Sequence, residues 1–151
     1  MAAIEPFVGE ELLAFPPDRV LYALKHIELV SKHMADVQSV ERVDDRTLKL
    51  VVRPGFSFIR GTLRVTMTLD EKVPGKTIVQ TAKSEGIGMS MTIESTITLE
   101  PDGAGTKARY EARVTERKGL VSAIGPSLIK AAADKTLRDG WDAVRKSLAA
   151  T

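Results

Sequence analysis

The chain has 151 residues, 43% of them hydrophobic and 28% charged, with a formal net charge of +2. That suffices for one domain with its own core and is too weakly basic to imply a nucleic-acid partner. There is no cysteine, which excludes disulfides, thiolate nucleophiles and zinc–thiolate sites. The N-terminal MAAIEPFVGEE has no basic segment leading into an apolar core, and no apolar run approaches the ~18 residues of a membrane span. The expected location is therefore the cytoplasm.

In chain order, Ile4 to Phe15 reads as a first strand that ends at Pro16-Pro17. Pro17 suits the first position of a helix, and Val20, Leu21, Leu24, Ile27 and Val30 follow at helical spacing, with breaks that favour two short helices. A strand-like run with Val37, Val40 and Val43 follows, and then Leu48, Leu50 and Val52 alternate with polar or exposed positions up to Pro54-Gly55. The clearest alternation is Ile59, Gly61, Leu63, Val65, Met67 and Leu69 against Arg60, Thr62, Arg64, Thr66, Thr68 and Asp70, the signature of a strand with one wet face. After VPGK the chain returns through Thr77 to Ser84. A second long alternation then places Met89, Met91, Ile93, Ser95, Ile97 and Leu99 inward. The PDGAG turn leads into the last strand, with Ala108, Tyr110, Ala112 and Val114 inward and Lys107, Arg109, Glu111, Arg113 and Arg117 outward.

The C-terminal segment is helical, some 30 residues long or roughly 45 Å. It carries two apolar sets. Ile129, Ala133, Leu137, Val144 and Leu148 share a face with Trp141 beside them, whereas Leu120, Val121, Ile124 and Leu128 fall on the opposite side. Pro126 lets the first set leave the register of the second, either by a bend near Gly125-Pro126 or because GLVSAI is a separate turn. Three coverings of the Leu120, Val121, Ile124 and Leu128 patch remain open: the first short helices, a second copy or partner subunit, or a membrane surface with Arg117, Lys118 and Lys130 beside it.

The order is β-α-α-β(6)-α. Strands that follow one another without helices imply antiparallel pairing, so the fold class is α+β: one domain over residues 1–151, with a curved antiparallel sheet wrapped around a long helix. Catalytic chemistry finds little support. GIGMS is a lone GxG without the strand-to-helix context of a dinucleotide site. His26 and His33 are the only histidines, and on one continuous helix they would stand roughly 10 Å apart along the axis, too far to share a zinc ion. Glu94, Glu100 and Glu111 read as outward partners of Lys107, Arg109 and Arg113. No catalytic residue, metal site or cofactor is expected, nor an exposed aromatic platform for nucleic acid.

This order resembles the helix-grip fold of the START and Bet v 1-like superfamily (SRPBCC). Within it, the chain resembles the carbon monoxide dehydrogenase G-subunit (CoxG-like) family. The residues that carry the resemblance are Pro17 through Val20, Gly61-Thr62, EPDGAGTKARYEARV, and GLVSAIGPSLIKAAADKTLRDGWDAV with Gly119, Leu120, Gly125, Leu128 and Ile129. The resemblance implies an apolar cavity between helix and sheet that binds a quinone- or lipid-like molecule. It also implies an accessory role to a molybdenum hydroxylase, at or near the inner face of the membrane; a non-enzymatic function is expected because the inward positions offer Tyr110 and little else that ionises. The inward small residues Gly61, Ala82, Ser95, Ala108, Ala112, Ala132, Ala133 and Gly140 would leave the space; otherwise they let helix and sheet approach closely. In the first case the lining comprises Leu63, Val65, Met67, Met91, Ile93, Ala108, Tyr110, Ala112, Ile129, Ala133, Leu137 and Trp141. An adaptor that docks a larger redox enzyme, and a cyclase- or hydrolase-like enzyme, are the alternative functions.

Overall fold

The structure is a computed structural model that describes residues 5–55 and 60–150, without the Leu120 side chain. Among the described residues, seven strands form one antiparallel sheet, β1 (Phe7–Leu13), β2 (Val37–Asp44), β3 (Thr47–Val52), β4 (Leu63–Val73), β5 (Thr77–Gly86), β6 (Met89–Asp102) and β7 (Gly105–Gly119), in the order β1-β7-β6-β5-β4-β3-β2. Two short helices, α1 (Pro17–Lys25) and α2 (Ile27–Val30), and a 3₁₀ turn at Ser31–His33 connect β1 to β2. A second 3₁₀ turn at Leu120–Ala123 precedes α3 (Pro126–Ala149). The expected α+β helix-grip order is thus observed.

Local chemistry sets the element ends. Pro17 and Pro126 both occupy first-turn positions, where a missing N–H costs nothing because no intrahelical acceptor awaits it. GLVSAI therefore forms a separate turn, and α3 has 24 residues, about 36 Å, shorter than the expected 45 Å. β1 begins later than expected, at Phe7, and Ile4 lies outside the described residues. β4 also begins late, at Leu63: Gly61 precedes it with φ +116°, a conformation that breaks the pleat. Ile59 lies outside the described residues.

The main core gathers Leu48, Leu69, Ile78, Ile97, Leu99 and Ala108 from the sheet with Val20, Leu24, Ile27 and Val30 from the short helices and Trp141, Val144 and Leu148 from α3. A second, smaller cluster at the other end of the sheet joins Leu63 and Met89 to Val121 and Ile129. Polar ties fix the first end. Arg145 of α3 donates to Glu11 Oε2 at 2.7 Å and to the Leu12 carbonyl at 3.0 Å on β1. Arg19 of α1 donates to the Leu148 carbonyl at 2.8 Å. Arg42 of β2 forks onto Glu28 of α2, with Nη2 to Oε1 at 2.9 Å and Nε to Oε2, and reaches the Lys25 carbonyl at 2.8 Å.

Gly119 ends β7 with φ +72° and ψ −141°, a region open to glycine alone, and a Cβ there would collide with the Gly88 carbonyl oxygen. Gly119→Ala should therefore cost about 1–3 kcal/mol in urea denaturation; an unchanged midpoint would mean that the strand can end another way. Hydrogen bonding from Arg42 holds the Glu28 carboxyl below its ordinary pKa of 4.5. Because the folded value is the lower one, this stabilisation is complete above about pH 4.5 and fades as the pH falls through the folded value. Glu28→Gln should cost about 1 kcal/mol at pH 7, and the gap to the wild type should narrow towards pH 3. An equal gap at both values would remove the ion pair as its cause.

Candidate functional site

Directly opposed residues in a ladder share a face, so the strand registers define the inner face row by row. Val52, Leu63, Gly86, Met89 and Gly119 stand at the α3 N-terminal end, and Leu50, Val65, Ser84, Met91 and Arg117 form the next row. Leu48, Met67, Ala82, Ile93 and Val114 follow, and then Leu69, Gln80, Ser95, Ala112 and Phe7. Leu63 and Met89 at one end are buried in the smaller cluster and Leu69 at the other in the main core, which also takes Leu48 and Leu50 at the β3 side of the middle rows, but the rest of the middle is not buried. Val65, Met67, Ala82, Ser84, Met91, Ile93, Ser95 and Val114 are all half-buried.

The helix repeats this pattern. Ile129 is buried at one end and Trp141, Val144 and Leu148 at the other, while Ala132, Ala133, Leu137 and Gly140 between them are half-buried. Among the described residues, Ile93, Val114, Ala133 and Leu137 belong to neither cluster. Gly140 lies within the arc spanned by Ile129, Ala133, Leu137 and Val144, yet a Cβ added there would have no described atom within 4 Å. A glycine retained for close helix–sheet contact would show the opposite.

The residues expected to line a cavity thus divide. Val65, Met67, Met91, Ile93, Tyr110, Ala133 and Leu137 are half-buried. Leu63, Ala108, Ala112, Ile129 and Trp141 are buried, with Ala108 and Trp141 inside the main core and Leu63 and Ile129 in the smaller cluster. Tyr110 lies over Gly9, whose missing side chain makes room for the ring: a Cβ there would collide with the phenol oxygen. The ring also packs against Trp141, with centroids 5.8 Å apart, and burial pushes its phenol pKa up.

Arg117 was expected on the outer face and is not there. β7 carries an extra residue at Thr115, because Ile93 pairs with Val114 and Thr92 with Glu116. The bulge reverses the alternation, so Arg117 opposes Met91 on the inner face. The ion pair between Lys118 and Glu116 at 3.7 Å places those two together on the outer face, consistent with the shift. The stretch Thr115-Glu116-Arg117-Lys118 has no apolar residue to mark its parity, so the sequence held no signal for the change.

The apolar patch before α3 also resolves residue by residue. Val121 is fully buried in the smaller cluster, so it is a core residue and not a contact surface. Ile124 packs half-buried against the same cluster. Leu128 is 50% exposed, and the Leu120 side chain lies outside the described structure. On the outer face, Arg109 pairs with Glu10 at 3.6 Å and Glu100 at 4.0 Å, and Arg113 with Glu111, as expected for a solvated face. Two shallow depressions there, at the β2–β3 turn (Asp44 to Thr47 with Thr68) and over β1, β7 and β6 (Val8, Thr96, Arg109), are open and charged. His26 stacks on Tyr22 and its Nδ1–H donates to the Tyr22 carbonyl at 2.8 Å, while His33 lies in the 3₁₀ turn. Among the described residues no three His, Asp or Glu side chains could jointly hold a metal ion, and no helix is long and apolar enough to cross a membrane.

Solved structures similar to this one include a conserved protein from Geobacillus kaustophilus (21% identity, TM-score 0.86, 95% of each chain). A START superfamily protein from Mycobacterium smegmatis is similar at 16% identity and TM-score 0.73, covering 95% of this chain and 96% of that one. Ara h 8.0201 matches at 17% identity and TM-score 0.74, covering 97% and 99%. At these identities the likeness establishes the START/Bet v 1-like fold. No curated protein sequence matches the chain. Residues 9–149 match the CoxG family, described as the G-subunit of carbon monoxide dehydrogenase. The chain therefore belongs to the carbon monoxide dehydrogenase CoxG family.

Proposed function

We propose that this protein binds an apolar, quinone- or lipid-like small molecule between α3 and the inner face of the sheet. In this reading it is a non-enzymatic accessory to a molybdenum-hydroxylase or carbon monoxide dehydrogenase system. The observation that carries it is the open position beside Gly140, flanked by half-buried Ala133 and Leu137 and set between two separate apolar clusters. Interiors without a guest pack densely, and half-buried apolar side chains on facing elements are the usual lining of a small-molecule pocket. Burial alone would stabilise a bound apolar molecule by about 25 cal/mol per Å², before association costs. Family membership and fold support the accessory binding role, which in this reading is carried out in the cytoplasm.

Gly140→Leu separates a hollow from a solid middle. With a hollow, leucine enters empty space and replaces a helix-weakening glycine, so thermal stability should hold or rise by about 0.5–1 kcal/mol while uptake of N-phenyl-1-naphthylamine falls. In a solid middle the same change would overpack and cost about 1–3 kcal/mol, which would end the proposal.

Leu128, exposed on the first turn of α3 beside Ile124, favours a contact with a partner subunit or membrane surface at this end. Leu128→Asp should leave stability within about 0.5 kcal/mol of wild type and weaken co-sedimentation with vesicles of anionic lipid or capture by the dehydrogenase. Val121→Asp, which buries a carboxylate in the smaller cluster, should cost more than about 3 kcal/mol. Unaltered association in folded Leu128→Asp would remove Leu128 from any docking surface.

A further inference from the structure

We propose that β1 is a self-association edge, and that a second copy of this chain adds its own β1 antiparallel to it, across a two-fold axis at Glu10. β1 and β2 are the two edges of the sheet, and they are unlike. β2 is interrupted by register shifts between Val37 and Ser39 and between Arg42 and Asp44, and Arg42 ties it to Glu28 and the Lys25 carbonyl. Bulges and charges of this kind keep an edge from pairing. β1 runs from Phe7 to Leu13 without a register shift, and its sequence FVGEELL holds neither proline nor lysine. Its outer face carries Val8, 75% exposed, and Leu12, 61% exposed, the two most exposed large apolar side chains among the described residues.

The backbone of β1 is oriented to suit. A Cβ on Gly105 of β7 would collide with the Leu13 carbonyl oxygen, so that carbonyl points at β7. The Leu12 carbonyl points the other way, where it accepts from Arg145 at 3.0 Å. Successive residues of a strand alternate in this respect, so Val8, Glu10 and Leu12 present their N–H and C=O groups to the open edge. A carbonyl oxygen has two lone pairs, which leaves that of Leu12 able to accept from an incoming strand as well.

Self-pairing also matches the side chains. With the axis at Glu10, Val8 stands opposite Leu12 of the second copy, and Leu12 opposite Val8 of the second copy. Each exposed apolar residue thereby gains an apolar cross-strand neighbour. On β7, Glu111 is in register with Val8, Lys107 with Leu12 and Arg109 with Glu10. Each apolar pair is then flanked by Glu111 of one copy and Lys107 of the other, charges of opposite sign. The two Glu10 carboxylates at the axis each keep their own Arg109, 3.6 Å away, so the central row is neutral. Two paired strands bury less than a standard interface, so the dimer is weak and forms as concentration rises.

Sedimentation equilibrium of the wild-type chain from about 1 µM to about 1 mM should show a monomer passing to a dimer. Val8→Lys and Leu12→Lys, both at exposed positions, should each weaken the dimer roughly tenfold or more and leave thermal unfolding unchanged. Val43→Lys, at an exposed apolar residue of β2, should leave the dimer intact. Because the chain has no cysteine, single-cysteine variants report the register. A mixture of Val8→Cys and Leu12→Cys should form a disulfide between copies under mild oxidation, since opposed Cα atoms in such a pair stand about 5.5 Å apart. Either variant alone should cross-link roughly tenfold more slowly, its two sulfurs being offset by about 14 Å along the strands. A chain that stays monomeric at about 1 mM would overturn the proposal and leave the edge to a strand of a different protein. A dimer equally stable in both lysine variants at β1, equal weakening by Val43→Lys, or faster cross-linking within one variant than in the mixture would overturn it as well.

Discussion

The architecture depends on how α3 is held. It is anchored near its two ends, by Ile129 in the smaller cluster and by Trp141, Val144 and Leu148 in the main core, with Arg145 bound to Glu11 and the Leu12 carbonyl of β1. An α-helix is stiff over 24 residues, so anchoring at both ends fixes the position of the middle without requiring it to touch the sheet. Ala133, Leu137 and Gly140 can then remain half-buried. A solid domain of this size would direct large side chains at one another across that space.

The two ends differ in chemistry. The main-core end is dense and tied by partly exposed ionic contacts: the Arg42–Glu28 fork joins β2 to α2, and Lys25 meets Glu71 at 2.9 Å across α1 and β4. Gln80 also donates to the Leu24 carbonyl at 3.3 Å from the inner face. The other end is smaller and built from turns, including a hairpin in which Ile87, φ +56°, and Gly88, φ +71°, both adopt positive φ. A β-branched residue in that region is strained, and its side chain packs over Gly61 and against the smaller cluster. The end with fewer anchors is the one at which Leu128 is exposed.

Much of the fold was legible because alternation and proline placement are local signals. β4, β6 and the first part of β7 declare themselves through alternation over many residues, and Pro17 marks a helix start through a rule that concerns only the first turn, whereas Pro126 by the same rule allows either a start or a bend. The candidate site was legible in part. Parity and helical phase put Val65, Met67, Met91, Ile93 and Leu137 on the inward side; the strand registers set the first four in shared rows, and all five are half-buried. Parity could not tell which of the inward residues would be packed: Ala108 and Ala112 look alike in sequence to Ala82 and Ala133, yet the first two are buried and the last two half-buried.

Periodicity by itself determined the element order, the inward face of each regular strand and the membership of a fold class, since each follows from spacing along a single segment. Tertiary structure alone decided the depth of Val121, the open position at Gly140 and the face of Arg117. The physical reason is common to all three. Burial depth, empty space and a bulge are properties of two segments brought together, and the extra residue at Thr115 exists only relative to the strand that pairs with it.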